Sequence, residues 1–156
     1  MIDKIDHQII SVLQENSNLS NAALAKKVGL KTSTAYERVK KLERRGTIKG
    51  YVALIDAEAM GKPILAFIRL IVGLTADFTE SKQSVVHACS IEPDVLECHA
   101  LAGEDDYLLK VRAADTAELE TLIERIRSNA QVSNSVTSIV LSSIKDGHAV
   151  LPAQLD

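Results

Sequence analysis

The sequence predicts an α+β protein in two parts, three short helices followed by a βαββαβ unit. Three observations predict it. Apolar residues recur at helical spacing through about residue 45, a continuous apolar run starts at Ile64, and the charge divides sharply between the parts. With 156 residues, of which 46% are hydrophobic, the chain can bury a core in each part.

In the first part Ile5, Ile9, Val12 and Leu13 fall on one helical face within residues 3–15, with Lys4, His7, Gln8 and Ser11 between them. Residues 16–19 break that pattern. Ser20 offers an N-cap oxygen to a short Ala-rich helix over 21–27, and Gly29 supplies the positive φ of a tight turn. Leu30 then plugs the core between helices. A third helix is predicted from Thr32 or Ser33, either able to cap, to about Arg45, with Gly46 as its stop. Ala35, Val39 and Leu42 share its inner face, leaving Ser33, Thr34, Glu37, Lys40, Lys41 and Arg44 on the outer one. Residues 48–55, β-branched and aromatic around Gly50, read as a two-stranded or irregular wing. The stretch to Pro63 reads as a linker.

From Ile64 to Leu74 only Arg69 interrupts the apolar run, as expected of a strand covered on both faces. Residues 79–90 read as a helix, 95–101 and 107–112 as strands joined by a short loop at 103–106, 115–129 as a helix capped by Asp115 or Thr116, and 136–144 as the last strand. That order is a ferredoxin-like unit with both helices on one face of the sheet. Its second, largely apolar face then needs cover from another molecule, which predicts a homodimer through the sheet. The expected divisions are 1–56, a linker at 57–63, 64–145 and a tail at 146–156.

The net charge of −3 conceals a partition: residues 1–56 carry +4 and the remainder −7. Nine basic residues and two acids lie between Lys26 and Lys49. Three helices with a tight Gly turn between the second and third form a winged helix-turn-helix, whose third helix enters the DNA major groove. Polar residues at the start of that helix reach base edges, while Lys and Arg neutralise phosphates. The base-proximal candidates are Thr32, Ser33, Thr34 and Glu37, with Tyr36, Arg38 and Lys41 beside them, and Lys31 is a further DNA-binding candidate. The phosphate candidates are Lys40, Arg44, Arg45 and Lys49.

At this point the chain resembles a known family. Residues 24–30 (LAKKVGL), 38–43 (RVKKLE) and 46–51 (GTIKGY) are similar to the DNA-binding domain of the Lrp/AsnC (feast/famine) transcriptional regulators. Glu97-Cys98-His99 followed by residues 103–111 (GEDDYLLKV) is similar to that family's effector-sensing half. The resemblance implies a RAM-type effector and dimerisation domain, dimers that assemble into octamers, and a small-molecule pocket, often for amino acids, between dimers. It places Gly103, Glu104, Asp105 and Asp106 at that pocket, and matches Ala100, Leu101, Thr116, Ser138, Ile139 and Val140 to effector-response positions. Backbone N–H groups around Gly103 suit a carboxylate, and Asp105 or Asp106 an α-ammonium. Two departures stand out: Lys31-Thr32-Ser33-Thr34 replaces a Ser or Asn with Pro, and three adjacent acids occupy the loop.

Several classes are excluded. No apolar run reaches 18 residues and the polar N-terminus does not fit a signal peptide, so a soluble, cytoplasmic protein is expected. His87 and Cys89 diverge on a helix and Cys98 and His99 on a strand, so no metal is expected, and two reduced thiols are the default. No nucleophile–base motif or Gly-rich phosphate loop suggests an enzyme, and no cofactor is implied beyond an amino-acid effector. Base-stacking aromatics are too few for RNA. The expected function is operator-specific regulation modulated by an amino acid; the alternative is an architectural DNA-binding or amino-acid-sensing module.

Overall fold

The computed structural model describes residues 2–72, 78–130 and 132–150. It divides into two compact units, Met1–Leu54 with Ile144–Asp156, and Ile55–Ser143.

The first unit holds α1 (Lys4–Glu15), α2 (Asn21–Lys27) and α3 (Thr32–Arg44). Asp3 starts α1 by accepting the Asp6 N–H at 2.8 Å, while Asp6 accepts the Asp3 N–H at 3.3 Å. This reciprocal bonding satisfies two amide groups that a helix start leaves without partners. Ser20 caps α2 by accepting the Ala23 N–H at 3.2 Å. Gly29 adopts φ 67°, which lets the Leu30 N–H return to the Ala25 carbonyl at 2.9 Å. Gly46 ends α3 with φ 69°. Ile9, Leu24, Val39 and Leu42 are buried together, and Leu30 packs against them as the spacing predicted. Each such fully buried aliphatic side chain contributes about 2 kcal/mol.

Two expectations change here, and one open alternative is decided. Lys31, not Thr32 or Ser33, occupies the N-cap of α3, and it makes no side-chain cap bond. Residues 48–55 contain no strand, so the wing takes its irregular form. Residues 144–150 belong with the first unit rather than forming a separate tail from 146: Val150 donates to Gln14 Oε1 at 2.7 Å, and Gln14 Nε2 donates back to the Val150 carbonyl at 3.1 Å.

The second unit contains β1 (Ile64–Val72), α4 (Phe78–Ile91), β2 (Val95–Ala100), β3 (Tyr107–Ala113), α5 (Thr116–Asn129) and β4 (Val132–Ile139). All three strand pairings are antiparallel, in the order β2-β3-β1-β4, which is the ferredoxin-like arrangement expected. Ala66, Ile68 and Leu70 of β1 and Tyr107, Leu109 and Val111 of β3 point into the core. Val85 and Ala88 of α4 and Leu119, Leu122 and Ile126 of α5 cover them. Asp115 caps α5 by accepting the Glu118 N–H at 2.8 Å.

β4 starts four residues before its expected position and ends at Ile139. Its partner explains the shift: β1 provides ladder positions from Ala66, opposite Ile139, to Val72, opposite Val132. Backbone pairing at a sheet edge recruits polar Ser133, Asn134 and Ser135, which apolar patterning passes over. Leu141 and Ile144, expected in the strand, lie exposed beyond it.

The second sheet face is mixed rather than largely apolar. Directly paired residues share a face, which places Phe67 beside Lys110 and Ser138, Arg69 beside Leu108 and Val136, and Leu65 beside Arg112. The expected linker is also ordered. Gly61 turns with φ 72°, and Lys62 forms ion pairs with Asp94 at 3.0 Å and Glu118 at 2.6 Å.

Candidate nucleic-acid interface and candidate ligand-binding loop

In α3, burial of Ala35, Val39 and Leu42 turns the opposite surface outward. Lys31, Thr32, Ser33 and Thr34 are exposed at its start, as are Tyr36 and Glu37 one turn on. Because neither Thr32 nor Ser33 caps the helix, neither hydroxyl is committed to that role.

The cations around this helix fall into two sets. Arg38 sends Nη1 to Asp3 Oδ2 and to Asp6 Oδ1, both at 2.7 Å, and Asp6 is only 4% exposed. These bonds raise the guanidinium further above its already high ordinary value. The Asp6 N–H, and then Arg38, hold the Asp3 carboxyl below its usual range. Arg38 therefore clamps α3 to the start of α1, unlike the base-proximal role predicted from its place in the sequence. Lys40 is also engaged, pairing with Glu43 at 2.8 Å and lying 5.8 Å from the Tyr36 ring centre. Glu43 further accepts the Tyr51 hydroxyl at 3.1 Å. Burial and then this bond raise the phenol, whereas Lys40 lowers the Glu43 carboxyl. The second set is Lys31, Lys41, Arg44 and Lys49, exposed and without an ion pair to any described residue. Arg45 is exposed beside them.

In the second unit the 101–106 loop is fastened to β1. The Asp106 N–H donates to the Leu70 carbonyl at 2.9 Å, and its Oδ2 accepts the Val72 N–H at 2.8 Å. The Leu101 N–H closes the loop on the Asp106 carbonyl at 2.8 Å, and Arg69 Nη1 lies 3.4 Å from Asp105 Oδ2. Both acids expected to meet an α-ammonium already have partners. The signal missed was local: Asp106 immediately precedes a strand whose neighbour ends at Val72, and a short carboxylate there can accept that strand-end amide. Glu104 is exposed, and open space surrounds Gly103.

The other expected ligand-response residues divide between two ends of the sheet. Ala100 and Leu101 adjoin the loop, near Leu70 of β1. Ser138 and Ile139 pair with Phe67 and Ala66 toward the far end, where Val140 donates to the Leu65 carbonyl at 2.9 Å. Thr116 follows the end of β3 that pairs with Ile64, so it too lies away from the loop. Four residues of strand separate the ends, about 13 Å at the rise of an extended chain.

Comparison with known proteins bears on both regions. Residues 2–49 match a model described as winged helix-turn-helix DNA-binding, and residues 68–150 match the Lrp/AsnC ligand binding domain. The chain belongs to the Lrp/AsnC family. A leucine-responsive regulatory protein from Haemophilus influenzae is 36% identical over 146 residues, covering 92% of this chain and 86% of its own. A transcriptional regulator from Neisseria meningitidis, solved with L-methionine, superposes with a TM-score of 0.90 at 32% identity, covering 96% of each chain. A feast or famine regulatory protein from Mycobacterium tuberculosis, also complexed with L-methionine, gives 0.87 at 31% identity, covering 97% of this chain and 100% of that one.

As an Lrp/AsnC protein the chain is a DNA-binding transcriptional regulator, and the relatives it matches are regulators rather than enzymes. Among the described residues no helix is long and apolar enough to cross a membrane, and no three or more His, Cys, Asp or Glu are grouped to hold a metal ion.

Proposed function

We propose that this regulator reads operator DNA with the exposed start of α3, holds phosphates with Lys31, Arg44, Lys49 and Lys41, the last moved from the base-proximal set because it lies more than two turns beyond that start, and changes its binding or assembly when an amino acid occupies the 101–106 loop region. The observation that carries the DNA role is the set of exposed cations, none with an ion pair to a described residue, around a helix whose apolar stripe is buried. Thr32, Ser33, Thr34 and Glu37 supply donors and acceptors for base edges, and Arg45 adds positive charge close by. A DNA regulator of this kind works in the cytoplasm.

The ligand role draws on the two relatives that hold L-methionine. With Asp105 and Asp106 engaged, the amino acid's carboxylate is assigned to backbone N–H groups around Gly103, and its ammonium to Glu104. Ala100 and Leu101 border that position. Thr116, Ser138, Ile139 and Val140 are assigned to the pocket from a second copy, because they lie toward the other end of their own sheet. A homodimer through the mixed face of the sheet, with Leu65, Phe67, Leu108 and Val136 meeting their counterparts, and assembly of dimers toward an octamer would bring both sets together.

A thermal-shift screen of the twenty amino acids tests this reading. A ligand that binds only the folded state at a hundred times its Kd stabilises it by about 2.7 kcal/mol. The expected result is a raised Tm with methionine or a similar apolar amino acid, and an altered operator affinity in its presence. Operator-selective binding with no shift from any of the twenty would leave a regulator without an amino-acid effector. Binding of equal strength on all DNA sequences would favour the architectural role.

A further inference from the structure

The two thiols stand together. Cys89 lies on α4, half-buried against the core, and Cys98 lies on β2, opposite the inward-facing Leu109 in the register with β3. Cys98 therefore faces the helices, and both cysteines line the same groove. A groove of about 340 Å³ opens over the pair, bordered by Val86 and Ser90 of α4 and by Leu96 and Glu97 on the β2 side. Two thiols lining one open groove are reachable by a small oxidant and stand on facing elements.

We propose that Cys89 and Cys98 form a redox modification site that closes reversibly to an intramolecular disulfide on reaction with a hydroperoxide. The chemistry divides between the sulfurs as their surroundings dictate. The neighbouring Cys89 thiol, opposed by burial and assisted by His99, lowers the Cys98 thiol to about 7. The neighbouring Cys98 and burial push Cys89 up. Cys98 is thus the nucleophile and Cys89 the resolving thiol.

The Cys98 thiolate attacks the terminal oxygen of the hydroperoxide. The O–O bond breaks, the departing oxygen leaves as an alcohol or water after taking up a proton, and Cys98 becomes a sulfenic acid. The Cys89 sulfur then forms the S–S bond, displacing hydroxide from Cys98, and the proton lost by Cys89 converts that hydroxide to water. Two electrons pass from the thiols to the peroxide, and a small dithiol returns them. The link would tie α4 to β2, an edge strand of the sheet.

The test treats the full folded chain with a modest excess of hydrogen peroxide, blocks remaining thiols with iodoacetamide under denaturing conditions, and maps peptides without reduction. The expected result is loss of both free thiols, a mass lower by two hydrogens, a linked peptide joining Cys89 to Cys98, monomer mobility on a denaturing gel, and full reversal by dithiothreitol. Cys98→Ser should abolish oxidation at this peroxide level. Cys89→Ser should leave a sulfenic acid on Cys98 that dimedone traps. The proposal is overturned by a wild-type chain that keeps both thiols alkylatable after treatment, by links formed only between chains, or by over-oxidation of Cys98 with no linked peptide.

Discussion

The two units handle charge in opposite ways. In the second unit acids remain over: Lys62 holds Asp94 and Glu118, Arg125 holds Glu92, and Lys110 with His99 holds Glu97, but Glu104, Glu120 and Glu124 are exposed without an ion pair to a described residue. In the first unit it is cations that remain over. Arg38 and Lys40 are engaged, but Lys31, Lys41, Arg44 and Lys49 have no ion pair to a described residue. Pairing within a region leaves its net charge unchanged, so what a distant phosphate meets is the surplus: unpaired acids in the second unit and exposed unpaired cations in the first.

The sharpest way to break this comparison lies within α3, where adjacent cations have different tasks. Arg38→Ala leaves the Asp6 carboxylate buried without its cation, and the expected loss is about 2 kcal/mol, read as a Tm lower by several degrees. DNA affinity of the remaining folded protein should change little in its salt dependence. A variant of unchanged Tm whose salt slope falls would move Arg38 into the phosphate-binding set.

In the second unit, Asp106→Ala removes the acceptor for the Val72 N–H. Because that bond ends a strand rather than filling the core, a smaller loss of about 1–2 kcal/mol is expected, together with a weaker response to amino acids. Glu104→Gln, at an exposed side chain, should leave Tm unchanged and alter only which amino acid is bound or how tightly. A drop in Tm for Glu104→Gln matching that of Asp106→Ala would show that the loop divides differently.

The smallest effect is in pH. Partners lower the carboxyls of Asp3, Glu43, Glu97 and Glu118, chiefly the Asp6 N–H, Lys40, His99 and Lys62 respectively. A lowered folded value means that the contribution is complete above the ordinary carboxylate values of 3.8 and 4.5 and is lost as pH falls through the folded ones. Thermal melts should hold level from neutrality to about pH 5 and decline below it, with 1 M salt weakening the exposed pairs at neutral pH.

Much of this was legible in the sequence. Gly29 and Ser20 placed the turn and cap of α2, the Ala35–Val39–Leu42 stripe oriented α3, and residues 107–112 were marked as a strand. What escaped was pairwise. Nothing in local periodicity shows that Arg38 reaches back to Asp3 and Asp6, although Asp3 and Asp6 at capping-box spacing could have marked the start of α1. The position of β4 depended on its partner's length, and Asp106 had two plausible uses, toward a ligand or toward a neighbouring strand. The thiols were read as separate because each was judged along its own element, while the groove they line lies between a helix and a strand.

The most direct test of the charge division is a salt titration of DNA affinity for the wild type and for Lys41→Ala with Arg44→Ala, on an operator and on unrelated DNA. Loss of two phosphate contacts should lower the slope of log K against log salt by about 1.8 on both sequences, with Tm unchanged. An unchanged slope, or a loss confined to the operator, would contradict the assignment of these cations to the DNA backbone.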